Sequence, residues 1–375
     1  MVDFAQEGLL DGLRGRARAA RLRLLERLEG EGVSLDDLRE AVTDDTLVLL
    51  PAERLVGGIK RYTPREVSEA SGLELDLLIR LRRAQGLPIP DVDAPVFTEA
   101  DIEGAKTART FREFGIREED MLQVVRVLGR GLSQAAELMR TMTLELVLVP
   151  DADEYELAMR YADAVASLEP LTEPMLGQMI NLHLRHVVSG EILDATARKD
   201  GRLSGARPIA VAFADLVGFT RIGEAVPPEE LGRVAGRLEA MAADVVISPA
   251  KLVKTIGDAV MIVSPEPAGL LDVILELVEL ADSEGEDFPQ LRAGLAHGPA
   301  LSRAGDWYGH PVNLASRVTS VAYPGSVLVD GSLRDCVDGD PAYRWSFAGE
   351  RRLKGISEPA ALFRARRAEP DTDAG

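Results

Sequence analysis

Two aspartates in the second half of the chain stand where carboxylates can do chemistry. Asp215 follows a short apolar run, residues 208–214, and glycine and threonine break the pattern directly after it. This predicts a buried strand with a carboxylate at its end, a usual position for an active-site group in an α/β sheet. Asp258 lies in the Gly-Asp turn of a predicted hairpin, residues 251–263. Two carboxylates at adjacent strand ends could hold a pair of hard cations, an arrangement that catalyses in-line displacement at phosphorus.

A third group of polar residues lies between Asp306 and Arg317. Asn313 and Arg317 are four residues apart, so both project from one face of a predicted helix, residues 312–321. Asparagine can orient a sugar through hydrogen bonds, and arginine offers a permanent charge and a planar fork for phosphate oxygens. Such a pair alone is common on solvated helices. Combined with two strand-end aspartates, it indicates a site that handles phosphate.

The elements that must position these residues form a sheet domain from residue 207 onward. Helices are predicted at residues 228–246, 268–283 and 312–321. Strands are predicted at residues 208–214, 251–256, 259–263, 291–297, 326–329, 343–348 and 360–366. The core order β-α-β-β-α-β predicts a ferredoxin-like sheet with a split βαβ unit, and the whole chain is therefore expected to be α+β.

The first half of the chain reads as helix after helix. Apolar residues from Leu10 to Leu28 recur at helical spacing, and Ser34 with Asp37 resembles a capping box that starts the next helix. Further helices are predicted at residues 51–59, 64–84 (split at Gly72), 99–111, 117–142, 152–167 and 173–192. We therefore predict an all-helical domain over residues 1–190, a linker over 191–206, the sheet domain over 207–367 and a disordered tail over 368–375.

Composition excludes several classes of protein. The chain has 375 residues, a formal net charge of −19 and a single cysteine, Cys336. One cysteine allows no disulfide framework within the chain and fits a reducing cytoplasm. No apolar run approaches the ~20 residues that span a bilayer, and a strongly acidic chain is a poor candidate for nonspecific nucleic-acid binding. We expect a cytoplasmic protein without a membrane span and without bound nucleic acid.

Two features of the helical half allow a functional or a structural interpretation. Residues 62–83 resemble a helix-turn-helix, but Glu74 and Asp76 open the second helix where DNA would have to approach. A structural helical hairpin is favoured over a DNA-binding regulator. His183 and His186 lie just before the linker, either on a partly exposed helix face or as groups that titrate near neutral pH.

Residues 207 to about 366 resemble the catalytic domain of the class III nucleotide cyclases, through the stretches around the residues discussed above and residues 353–359. The resemblance implies a homodimer whose two active sites each combine residues from both chains. It implies two divalent metal ions, Mg²⁺ or Mn²⁺, on Asp215 and Asp258. The remaining roles it implies are base selection by Lys254 and Asp306, transition-state contacts by Asn313 and Arg317, and a phosphate contact by Lys354.

The helical half is similar to the regulatory half of actinobacterial holo-cyclases known as pH-responsive enzymes. That similarity implies that residues 1–190 form an autoinhibitory domain, with His183 and His186 as candidate regulatory groups.

The chemistry of the bases favours ATP as the substrate. Adenine shows an N1 acceptor beside an N6 amino donor, which suits a lysine that only donates and an ionised aspartate that only accepts. Guanine reverses this pattern, so a guanylate cyclase is the alternative enzyme. A nucleotide-binding pseudoenzyme would normally lack one of the aspartates, Asn313 or Arg317, and this sequence has them all. The expected reaction is conversion of ATP into cyclic AMP and pyrophosphate.

Overall fold

The computed structural model describes residues 2–58, 62–190, 205–285 and 288–368. The chain forms two compact units, Met1–Ile192 and Leu193–Gly375. Most of the predicted linker, residues 191–206, and of the predicted tail, residues 368–375, lies outside the described residues. None of the described helices combines the length and the apolar character that crossing a bilayer requires.

The first unit is helical throughout its described part. Its helices are α1 (Gly15–Gly30), α2 (Leu35–Thr43), α3 (Leu50–Gly57), α4 (Pro64–Ser71), α5 (Leu75–Ala84), α6 (Glu99–Glu113), α7 (Glu118–Val147) and α8 (Glu154–Gly190). Leu24, Leu25 and Leu28 of α1 are fully buried in a cluster that also contains Ala158 of α8. Ser34 caps α2 as expected, because its hydroxyl accepts a hydrogen bond of 3.1 Å from the N–H of Asp37.

Two helix predictions in this unit have different outcomes. The expected break at Gly72 is confirmed: this glycine ends α4 in the left-handed conformation, with φ of 70°. The prediction of separate helices at 152–167 and 173–192 is wrong, since α8 runs unbroken through Pro170 and Pro174. Both prolines lie on the exposed face, four residues apart, so water can bind the carbonyls that lose their hydrogen bonds.

The second unit is built on a mixed sheet. Its strands are β1 (Arg207–Leu216), β2 (Lys251–Ile256), β3 (Ala259–Ser264), β4 (Leu291–Arg303), β5 (Asp306–Tyr308), β6 (Ser326–Asp330), β7 (Tyr343–Arg351) and β8 (Ala360–Arg367). The strand order is β2-β3-β1-β4-β6-β8-β7, with β5 paired to the end of β4. Strands β2, β3, β1 and β4 are antiparallel neighbours, and β4 and β6 are parallel. The predicted ferredoxin-like core is confirmed.

Helices cover both faces of this sheet. They are α9 (Phe219–Ile222), α10 (Pro228–Val245), α11 (Pro267–Ser283), α12 (His310–Val321) and α13 (Gly331–Cys336). Side chains alternate along β1, so Ala210, Ala212 and Ala214 pack under α10 and α11. Ile209, Val211 and Phe213 point to the other face and pack under α12. The sequence patterns did not predict β5 or α13, and β4 is six residues longer than expected.

Candidate active site

Asp215 and Asp258 meet at one end of neighbouring strands. Asp215 is the next-to-last residue of β1 and pairs with Ala259 of β3. Asp258 occupies the turn between β2 and β3, where Gly257 takes the left-handed φ of 62° that the turn requires. The backbone N–H of Leu216 donates a hydrogen bond of 3.0 Å to the carbonyl oxygen of Asp258. The fold therefore holds both carboxylates at the same corner of the sheet, as the sequence predicts.

The electrostatic environment of these two carboxylates differs. Burial raises the pKa of Asp258, and the negative charge of Asp215 raises it further, while the charge of Arg292 acts in the opposite direction. One oxygen of Asp215, Oδ2, accepts two hydrogen bonds from Arg292, of 2.9 Å from Nε and 2.6 Å from Nη2. The other oxygen, Oδ1, has no hydrogen-bond partner in the described part of the chain. The Asp215 carboxylate is thus held by the Arg292 guanidinium, whereas the Asp258 carboxylate faces the negative charge of Asp215.

Arg292 contacts the candidate site, although no sequence motif pointed to it. It lies on β4 directly across from Asp215 in the strand register, and its Nη1 also lies 3.5 Å from the carbonyl oxygen of Ser320 in α12. In the sequence it stands only as the second residue of a largely apolar strand. Its meaning depends on the pairing of β1 with β4, which no short-range pattern reveals.

Lys254 and Asp306 are in direct contact. The Nζ of Lys254 on β2 lies 2.5 Å from Oδ2 of Asp306 on β5, and the N–H of Trp307 donates a bond of 2.9 Å to Oδ1. Burial alone would raise the pKa of Asp306, but the hydrogen bonds from Lys254 and Trp307 and the lysine charge outweigh it and lower that pKa. The pair therefore presents a donor beside an ionised acceptor.

Asn313 and Arg317 lie on the exposed face of α12, as the helical spacing predicts. The opposite face of the helix packs on the sheet through the buried residues Leu314, Ala315, Val318 and Thr319. In the part of the chain that the structure describes, neither the Asn313 nor the Arg317 side chain has a hydrogen bond or an ion pair. Both remain available to a ligand or to a second chain.

A glycine that the sequence analysis passed over sets the position of α12. A Cβ at Gly294 of β4 would lie 2.2 Å from the backbone N of Thr319 and 2.7 Å from the carbonyl oxygen of Ala315. The hydroxyl of Thr319 lies 3.2 Å from the carbonyl oxygen of Phe213 in β1. The helix therefore rests on the backbone of the sheet, which only glycine at position 294 permits.

The other predicted site residues lie apart from these contacts. Lys354 is exposed in the loop between β7 and β8, next to the buried Leu353. His183 lies on α8 in the first unit, where it lines an apolar cleft of about 820 Å³ between α7 and α8. The side chain of His186 lies outside what the structure describes. These roles therefore remain predictions.

Two arginines of the helical hairpin formed by α4 and α5 have contacts within the unit. Arg80 is 2.9 Å from Glu118, and Arg82 stacks on the ring of Phe97 with 4.6 Å to the centroid. These contacts tie the hairpin to neighbouring parts of the helical unit.

Comparison with known proteins places both halves of the chain. Residues 2–188 match the adenylate cyclase regulatory domain, and residues 204–363 match the adenylate and guanylate cyclase catalytic domain. The pH-sensitive adenylate cyclase MT1302 of Mycobacterium tuberculosis is 48% identical over 98% of this chain and 94% of its own length. An adenylate cyclase of Streptomyces griseus is 35% identical over 77% of this chain and 72% of its own length.

Among solved structures, the adenylyl cyclase CyaB from P. aeruginosa matches 44% of this chain and 97% of its own chain, with a TM-score of 0.40 and 18% identity. The identity to the mycobacterial protein extends over nearly the full length, and the two family matches account for the helical unit and the sheet unit in turn. The resemblance drawn from the sequence motifs is confirmed. The chain belongs to the class III adenylate cyclases, with a regulatory domain ahead of the catalytic domain.

Proposed function

We propose that the protein converts ATP into 3′,5′-cyclic AMP and pyrophosphate. The observation that carries this proposal is the direct contact of Lys254 with Asp306, which sets a fixed donor beside a fixed acceptor. The relatives from M. tuberculosis and S. griseus are named adenylate cyclases, which supports the same substrate. We place the reaction in the cytoplasm, since the free, exposed Cys336 fits a reducing compartment.

Base recognition follows from the protonation states of this pair. Lys254 donates to N1 of adenine, and Asp306 accepts from the N6 amino group. In the free chain the two side chains bond to each other, and the remaining donors of the ammonium and lone pairs of the carboxylate can bind adenine. The lowered pKa of Asp306 keeps it an acceptor at neutral pH. Guanine offers an O6 acceptor and an N1–H donor instead, so it meets this pair with the wrong pattern.

Asp215 and Asp258 are the proposed ligands of two divalent cations, Mg²⁺ or Mn²⁺. The site fits them: Oδ1 of Asp215 is free of hydrogen bonds within the described residues, and a cation would relieve the repulsion that helps raise the pKa of Asp258. Bound cations would lower the pKa of the ribose 3′-hydroxyl and neutralise the triphosphate. The described residues contain no cluster of three or more suitable protein ligands, so the substrate phosphates and water would have to supply the remaining ligands.

The reaction forms a bond from the ribose O3′ to the α-phosphorus and breaks the bond to the leaving pyrophosphate, while O3′ loses its proton. We assign Arg317 to the charge that grows on the α-phosphoryl oxygens and Asn313 to the orientation of the ribose. Lys354 contacts the triphosphate. No protein nucleophile takes part in this scheme.

We propose further that two chains form a homodimer with composite active sites. Arg317 is exposed and has no contact with either aspartate within the described residues, which supports its acting on a site of the other chain. In a two-fold dimer, each site would combine the aspartates of one chain with Lys254, Asp306, Asn313 and Arg317 of the other. The symmetry gives two equivalent sites.

Comparing ATP and GTP turnover by the full-length protein with Mn²⁺ or Mg²⁺ tests the substrate. Lys254→Glu is expected to lower kcat/KM for ATP by about 100-fold and to reduce the preference for ATP over GTP, because an acceptor replaces the donor. Lys251→Glu is the matched control, since Lys251 is an exposed lysine of the same strand. Retention of the full ATP preference by the Lys254→Glu protein would contradict the assignment.

The first unit is proposed to restrain the catalytic domain, and acidification to release it. The match of residues 2–188 to the adenylate cyclase regulatory domain supports this, and so does the similarity to a mycobacterial adenylate cyclase that is named as pH-sensitive. His183 and His186 are the candidate titrating groups, because an unperturbed histidine titrates near pH ~6.5. Crowded carboxylates are the competing candidates.

Activity profiles against pH test the restraint, for the full-length protein and for residues 205–375 alone. Residues 205–375 are expected to be more active at neutral pH, by about tenfold, and to vary less with pH. Profiles that coincide in shape and magnitude would show that residues 1–190 neither restrain nor sense pH.

A further inference from the structure

An arginine outside the motifs stacks on the aromatic residue next to Asp306. The guanidinium of Arg207, the first residue of β1, lies over the ring of Trp307, 5.1 Å from the centroid. Arg207 itself is exposed, and in the described part of the chain its guanidinium has no ion pair or hydrogen bond. The ring of Trp307 is therefore the contact that holds this charge in place.

Trp307 anchors the strand that carries Asp306. Strand β5 has only three residues and pairs with the end of β4 alone. Such a short edge segment has little stability of its own. The Trp307 ring is only 7% exposed and belongs to the cluster under α12 that includes Ile209 and Leu314. Its backbone N–H also donates the 2.9 Å hydrogen bond to Oδ1 of Asp306. The orientation of the Asp306 carboxylate thus depends on the position of Trp307.

We propose that Arg207 and Trp307 are positioning residues for base recognition. Arg207 closes the exposed side of the Trp307 ring, Trp307 fixes β5 and binds Oδ1, and Oδ2 is left aligned with Lys254. This inference rests on the proposed role of Lys254 and Asp306 in selecting adenine. Neither Arg207 nor Trp307 touches the base; both act through Asp306.

The test uses the full-length protein with Arg207→Ala and Arg207→Lys, measuring kcat and KM for ATP and for GTP. Arg207→Ala is expected to raise KM for ATP by about three- to tenfold and to lower the ATP-to-GTP ratio of kcat/KM by a similar factor. The kcat at saturating ATP should change much less, because the residues that act on phosphate stay in place. Arg207→Lys should restore part of the loss, since lysine also carries a cation to the ring face.

Arg334→Ala is the matched control. Arg334 stacks on Phe363 at the same 5.1 Å in the same unit, and the ring it covers lies away from Lys254 and Asp306. It is expected to leave the ATP-to-GTP ratio unchanged. Equal changes in the Arg207→Ala and Arg334→Ala proteins would overturn the proposal, because they would reveal only a loss of stability.

Lys254→Glu separates this inference from the proposed function. If Lys254→Glu changes the base preference and Arg207→Ala does not, the positioning role is wrong while the proposed function stands. If Lys254→Glu itself leaves the preference unchanged, both assignments fail together.

Discussion

Two pairs of charged residues in the catalytic unit differ in how completely the folded chain satisfies them. The recognition pair, Lys254 and Asp306, consists of opposite charges in contact, and the pKa of its carboxyl is lowered. The acidic pair, Asp215 and Asp258, consists of like charges at one corner of the sheet, and the pKa of Asp258 is raised. The charges of the first pair are therefore balanced within the folded chain, while those of the second pair are not balanced by each other.

The two pairs therefore differ in how their charges contribute to the free energy of the folded chain. The recognition pair is an ion pair that is already formed in the folded chain, and under the proposed function it would orient a neutral base. The acidic pair carries an unfavourable interaction that a bound cation would reverse, which would couple substrate and metal binding to the same corner. Arg292 moderates the acidic pair by holding one oxygen of Asp215 and leaving the other free.

The largest expected effect comes from breaking the acidic pair and the arginine that the proposal places opposite it in the dimer. Asp215→Asn and Arg317→Ala should each lower kcat by about 10²- to 10³-fold, because the first removes a proposed cation ligand and the second removes the charge assigned to the α-phosphoryl oxygens. In an equal mixture with full subunit exchange, activity should recover to about a quarter of wild type, since half the dimers contain one intact site of two. Cyclic AMP assays on each variant and on the mixture check this. No recovery despite proven exchange would mean that each chain supplies a complete site.

A smaller effect is expected from disturbing the helix that carries Arg317. Gly294→Ala should lower the free energy of unfolding by about 1–3 kcal/mol, because its methyl group collides with the backbone of Thr319 and Ala315. Gly232→Ala in α10 is the matched control: nothing lies within 4 Å of its Cβ position, and alanine favours the helix. Denaturant unfolding of both variants measures the contrast. Equal stability of the two proteins would show that α12 moves aside at little cost.

The smallest effect should change sign between the two pairs. Because the folded pKa of Asp258 is raised, its contribution to stability is lost as pH rises through that pKa, so Asp258→Asn should stabilise the metal-free protein at pH 7. The folded pKa of Asp306 is lowered, so its contribution is present above the unfolded pKa and is lost as pH falls; Asp306→Asn should destabilise.

Asp258→Asn and Asp306→Asn should each change the free energy of unfolding by about 1 kcal/mol or less. The recognition pair is 30–39% exposed, so solvent screens its charges. Thermal unfolding of the two variants at pH 7 without divalent metal provides the comparison. If the two substitutions shifted the unfolding temperature in the same direction at pH 7, the Asp258 and Asp306 charges would not differ in their effect on stability.

The sequence predicted the elements that follow local rules and missed the contacts that depend on strand register. Apolar runs bounded by turn residues identified β1 and the β2–β3 hairpin, and the four-residue spacing placed Asn313 and Arg317 on one face of α12. Arg292 and Gly294 escaped because their roles arise from the pairing of β4 with β1 and from the approach of α12. The residues next to Arg292 and Gly294 in the sequence do not indicate which strand pairs with β4 or how closely α12 approaches it.

The error in α8 has a similar origin. Pro170 and Pro174 are strong local signals for a break, but the cost of a proline depends on where its lost hydrogen bond faces. On the exposed side of a long helix, water replaces that bond, and the helix continues.

Because α8 is continuous, a tilt at one of its ends would displace the other end. Its 37 residues give a length of about 55 Å. The end near Ala158 and Tyr161 is packed into the helical unit, while most side chains beyond residue 166 are exposed in the described part of the helix. A tilt of about 10° at the packed end would displace the far end by about 10 Å at this length. Two shorter helices joined by a flexible turn would absorb the same tilt. In the unbroken helix, a small change in packing at one end would instead produce a large displacement of the other end.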